Sequence, residues 1–145
     1  MHTDKNVDTL NSLLRGEISA VETYDQAIEK LNDDAVIAQQ LLQCRSSHEQ
    51  RVSVLRSEVA RRGGEPASGS GPWGTFAKLV EGGAKAFGKK AAIAALEEGE
   101  DHGLRQYRDD LKKLDGSTRS TLESQLMTEQ QQTHNMMSNL KHTLH

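Results

Sequence analysis

Val7, Leu10, Leu14, Val21, Ile28 and Leu31 recur along the chain at alternating spacings of three and four, with two gaps. That period is the apolar seam of a helix in a bundle. Glu17 and Tyr24 fill the gaps, so two polar residues fall on the apolar face. Asn32, Asp33 and Asp34 then supply a short turn and a helix N-cap. A second helix is predicted over 35–62, with Leu41, Cys44, His48, Val52, Leu55 and Val59 inward. Gly63-Gly64 ends it, and Pro66 lies just beyond. A third helix is predicted over 91–114. Asp115 to Thr118 form the next turn, and a fourth helix covers 119–144 with Leu122, Leu126, Met137, Leu140 and Leu144 inward. Two short turns imply antiparallel hairpins, 5–62 and 91–144.

Composition sharpens the plan. Both prolines, Pro66 and Pro72, and eight of the twelve glycines fall within 63–90. The flanking segments are rich in Leu, Glu, Gln, Ala, Lys and Arg, which are good helix formers. The chain is therefore expected to be all-α, a single four-helix bundle over 1–145 with a long crossover at 63–90. A short helix is expected within that connection, with Trp73, Phe76, Leu79, Val80 and Phe87 as its apolar residues.

The two hairpins are related in sequence. Leu13, Gly16, Glu17, Tyr24, Ile28, Lys30 and Leu31 match Leu96, Gly99, Glu100, Tyr107, Leu111, Lys113 and Leu114, all at one offset of 83 residues. His48 in the second helix is matched with His134 in the fourth. Glu17 lies fourteen residues before the end of its helix, and His48 fourteen after Asp34. At about 1.5 Å per residue both lie about 21 Å from the turn. Glu100 and His134 reach a similar level. Four metal-competent side chains, Glu17, His48, Glu100 and His134, are thus expected to meet inside the bundle.

Ferritin-like di-iron sites use such a geometry, with a Glu from one helix of each half and Glu-x-x-His from the next. Here the two bridging carboxylates are missing, because Arg45 and Gln131 stand three residues before His48 and His134. Glu97, one turn before Glu100, is a further candidate ligand. The competing reading is a buried polar layer in which each Glu bonds a neighbouring imidazolium, with Tyr24, Tyr107 and Gln131 in the network; such layers fix helix register. Cys44, one turn before His48, reads as a small buried filler. No Gly-rich phosphate loop, nucleophile triad or zinc spacing is present.

Several motifs together resemble a known family. These are Leu-Asn-Ser-Leu-Leu-Arg-Gly-Glu (10–17), Ala-Val-Glu-Thr-Tyr (20–24), His48-x-x-Arg51-Val52-x-x-Leu55-Arg56, Gly-Gly-Glu-Pro (63–66), Gly-Pro-Trp-Gly (71–74), Val-Glu-Gly-Gly-Ala (80–84) and Glu-Glu-Gly-Glu-Asp-His-Gly-Leu (97–104). The chain resembles the bacterial ferritin-like four-helix-bundle family called domain of unknown function 2383. The resemblance implies the ferritin-like fold and supplies no activity.

Charge and cysteine content bound the rest. Eighteen Lys and Arg against 21 Asp and Glu give a net charge of −3, which is not the footprint of a nucleic-acid binder. The apolar stretches are too short to span a membrane, and the glycines of 73–87 weaken an interfacial helix. The N-terminal residues lack the apolar core of a secretory signal, so a cytoplasmic protein is expected. One cysteine excludes an intrachain disulfide. The sparse aliphatic seam favours a homo-oligomer. The expected function is a non-catalytic structural or interaction protein with a degenerate polar centre. The alternative is a protein or oxidase that binds iron or another divalent metal through Glu17, His48, Glu100 and His134.

Overall fold

A computed structural model describes residues 5–69, 78, 80, 82, 83 and 87–144. Among them are helices α1 (Asn6–Lys30), α2 (Ala35–Arg61), α3 (Lys89–Leu111), α4 (Gly116–Leu122) and α5 (Thr128–Thr143), and no strand. A π turn, Glu123–Met127, joins α4 to α5, so the fourth helix is continuous but carries one extra residue per turn at that point. The all-α bundle expected from the seam is what forms. Trp73, Phe76 and Leu79, expected in a short helix, lie outside the described residues. Val80 is fully buried in the core, whereas Phe87 is exposed.

Local chemistry sets the ends. The Asp34 carboxylate accepts from the N–H groups of Val36 and Ile37, both at 3.1 Å, and so caps α2. Asp115 caps α4 by accepting from Thr118 N–H at 2.9 Å. The fourth helix therefore starts three residues earlier than expected. At the far end of α2, Gly64 N–H bonds the Val59 carbonyl and Gly63 N–H bonds the Ala60 carbonyl. This paired closure needs a left-handed residue, and Gly63 adopts φ +79°.

Tertiary hydrogen bonds fix the mutual placement. Asn11, near the start of α1, bonds the Glu65 carbonyl and the Ala67 N–H beyond the end of α2. Asn6 bonds the Asp115 carboxylate at 2.7 Å, tying α1 to the turn before α4. Glu97, early in α3, meets Lys141, late in α5, at 2.7 Å.

The apolar core falls into two clusters. One holds Ala20, Tyr24, Ala27, Leu31, Ile37, Leu41, Cys44, Val80, Ile93, Leu96, Met137 and Leu140. The other holds Val7, Leu10, Leu14, Val52, Leu55, Val59, Tyr107, Leu111, Leu122 and Leu126. On every long helix the stretch between the two clusters carries buried polar residues. These are Glu17 on α1, His48 and Arg51 on α2, Glu100 on α3, and Gln130 and Thr133 on α5. A polar layer thus divides the core at mid-height.

Candidate functional site

His48 is at the middle of this layer and is 0% exposed. Its Nδ1 lies 2.6 Å from Glu17 Oε1 and its Nε2 lies 2.8 Å from Glu100 Oε2. Both acceptors are carboxylate oxygens, so both ring nitrogens donate, and only the imidazolium carries two N–H groups. Burial and the Arg51 charge push the imidazole down, but the carboxylates of Glu100 and Glu17 outweigh them and hold it above its ordinary value. Burial alone would raise both carboxylates. Arg51 and His48 outweigh it at Glu17, as His48 and Arg51 do at Glu100, and both acids end below their ordinary value.

The tyrosines of the two matched motifs cross over. Tyr24 O–H donates to Glu100 Oε2 at 2.6 Å, and Tyr107 O–H donates to Glu17 Oε2. Each tyrosine therefore bonds the glutamate of the other motif. Burial, together with Glu100 at Tyr24 and Glu17 at Tyr107, pushes both phenols well above their usual range, so each remains a donor. Tyr24 also stacks on the His48 ring, with centroids 5.3 Å apart.

Arg51 completes the layer and is 1% exposed. Its guanidinium makes four hydrogen bonds to oxygen and an ion pair with Glu17. Nε faces the Ser47 carbonyl at 3.4 Å. Nη1 reaches Gln130 Oε1 and lies 3.2 Å from Glu17 Oε2. Nη2 reaches Ser47 Oγ at 3.2 Å and Thr133 Oγ1 at 3.0 Å. Glu100 is equally saturated: Oε1 accepts from Gln130 Nε2 at 2.9 Å and from Thr133 Oγ1 at 2.7 Å, while Oε2 takes Tyr24 and His48. Two carboxylates thus face one guanidinium and one imidazolium, and the layer is neutral as a whole.

The structure brings together Glu17, His48, Glu100, Tyr24 and Tyr107. It does not bring in His134, which pairs with the half-exposed Asp101. Gln131, expected in the core network, is exposed and bonds Asn135. Glu97, the further candidate ligand, is partly buried and held by Lys141. The physical reason is register. His48 stands 14 residues after its cap Asp34, and Gln130 stands 15 after its cap Asp115, with the π turn supplying the additional one. Gln130, not His134, is therefore the residue of the fourth helix at the level of His48. Sequence reasoning missed Arg51, Gln130 and Thr133. A signal existed for Arg51, which lies three residues after His48 and seven after Cys44, on the same helical face.

The donor set does not fit a di-metal centre. A metal needs lone pairs, yet both His48 nitrogens act as donors, the four acceptor positions of Glu100 are filled, and a permanent cation already contacts Glu17. Among the described residues no group of three or more His, Cys, Asp or Glu is arranged to hold a metal ion. No helix among them is long and apolar enough to cross a membrane.

Fold and centre together define an all-α bundle protein with a charged layer sealed inside it. A family model, described as a domain of unknown function (DUF2383), matches residues 5–113, and the chain belongs to that family. Neither the comparison with curated proteins nor that with solved structures gives a match.

Proposed function

We propose that this protein is a non-catalytic structural or interaction module of ferritin-like type, whose former site position has become a register-fixing polar layer. One observation carries the reading: Glu17, His48, Arg51 and Glu100 are at most 4% exposed and satisfy one another. Chemistry on a substrate needs a group that the substrate can touch, and here the reactive atoms are spent on internal bonds. A saturated buried network specifies one alignment of four helices while adding little net stability. Self-association is part of the proposal, supported by the exposure of Val36, Leu42 and Phe87. Light scattering behind size exclusion reads that part, and a monomer at all concentrations would contradict it.

The alternative is a metal-binding protein or oxidase. The separating experiment is elemental analysis of protein purified without chelator, before and after incubation with ferrous iron. The proposal expects no stoichiometric iron in the wild type. Stoichiometric iron that disappears in a Glu17→Ala, Glu100→Ala variant would replace it with the alternative.

A further inference from the structure

An open groove of about 530 Å³ lies where Gly82 and Gly83 meet the first turns of α3. On α3 it is lined by Ala91, Ala94, Ala95 and Glu98, which stand at i, i+3, i+4 and i+7 and so share one helical face. The apolar lining on both sides is glycine and alanine, with no side chain larger than a methyl group. A Cβ built on Gly82 would meet nothing within 4 Å, so the space beside it is open. Phe87 also borders this groove, yet its side chain stands in solvent, 83% exposed. Lys78 and Glu98 border it too, and among the described residues neither makes a hydrogen bond or an ion pair.

We propose that this groove is the self-association surface of the protein and that a second copy of the chain fills it: two copies exchange Phe87 rings about a two-fold axis, each ring entering the groove of the other. This rests on the self-association reading above and assigns it one surface. Charge and shape both favour a like partner. A two-fold contact is self-complementary, so it sets Lys78 of each copy against Glu98 of the other and gives both charges a partner. The same operation brings the missing bulk to a lining of glycine and alanine, an aromatic anchor in a pocket of matching apolar character. A small apolar ligand would fill the groove but leave Phe87 in water and both charges unpaired.

The test is light scattering behind size exclusion over a concentration series, with circular dichroism melting to establish that each variant is folded. Wild type should dimerise. Phe87→Ser, which removes the ring, and Ala94→Trp, which fills the groove, should each raise the dissociation constant about tenfold or more. Should Ala94→Trp fail to fold, Gly82→Leu fills the same groove from its open side. An equimolar mixture of the ring and groove variants should recover part of the dimer, because the mixed pair keeps one intact ring and one intact groove. Lys78→Glu and Glu98→Lys should each weaken the dimer, and the two combined in one chain should restore it. A dimer indifferent to both the ring and the groove variants overturns this inference and leaves self-association standing on another surface. Loss of the dimer in Phe87→Ser alone, or no recovery in the mixture, overturns the exchange of rings. A small apolar molecule retained by monomeric wild type and lost in Ala94→Trp places a ligand in the groove and overturns the proposal. A monomer at all concentrations overturns the self-association reading as well.

Discussion

Replacing His48 by glutamine removes the imidazolium that links the two halves of the layer. The two carboxylates then share only Arg51 as a cation, and Glu100 loses a charge-assisted bond of 2.8 Å. Breaking one partner out of a buried ionic set costs about 3–5 kcal/mol. The pH dependence is more diagnostic than the magnitude. His48 is held above its ordinary value in the folded chain, so between about pH 6.5 and that raised value the native state binds one proton that the unfolded state has lost. The His48 contribution is therefore full below about pH 6.5 and declines as pH rises, by about 1.4 kcal/mol per pH unit. In urea that slope moves the midpoint by about 0.5–1 M per pH unit. The groups set against His48 are Glu17 and Tyr24 on α1, Glu100 on α3 and the Arg51 charge on α2. Cys44 is pushed up to about 12 by burial and Glu100, so it adds a decline of the same sign only as the unfolded thiol ionises, above about pH 8. Burial and Arg105 hold His102 below its ordinary value, so its contribution is complete by about pH 6.5. Urea unfolding followed by far-UV circular dichroism at several values between about pH 6.5 and about pH 8 isolates His48. The wild type should weaken steadily, and His48→Gln should be flat and less stable throughout. A wild type whose stability holds constant or climbs over that window refutes the argument.

Three further outcomes follow from the same geometry. Tyr24→Phe and Tyr107→Phe each strip one hydroxyl from a buried carboxylate and should cost similar amounts, about 1–3 kcal/mol, in chemical denaturation; a tenfold disparity in unfolding constants would speak against the crossed pairing. Gly103 leaves room for Gln130: a Cβ there would lie 2.6 Å from Gln130 Nε2, which is pinned by Glu100. Gly103→Ala should therefore lower stability by about 1–3 kcal/mol in the same assay, and a neutral result would mean the amide is free to move. His134→Ala removes only a partly exposed pair and should change stability by less than about 1 kcal/mol, far below the effect at His48.

The parts of the centre that were legible in the sequence are those fixed by a seam without interruption. Glu17 and Tyr24 interrupt the apolar spacing of α1, and Glu100 and Tyr107 do the same at one constant offset, so their meeting was readable. His48 was readable because the Asp34 cap gives α2 an unambiguous start. The fourth helix hid its register twice. Its cap is Asp115 rather than a residue near Thr118, and its π turn adds a residue that no composition signal marks. Counting along an unbroken α-helix therefore led to His134 and Gln131 instead of Gln130 and Thr133. Arg51 escaped for a different reason. A long cation on a helix is normally read as solvated, and only the convergence of acceptors from α1 and α5 makes its burial favourable.

His48 is a doubly protonated ring between two ionised glutamates. Nitrogen-15 NMR of the ring in histidine-labelled protein, assigned with His48→Gln, reads this directly at neutral pH. Both His48 nitrogens should resonate as protonated, with N–H protons protected from solvent exchange. One nitrogen resonating as an unprotonated, lone-pair-bearing atom would contradict the account.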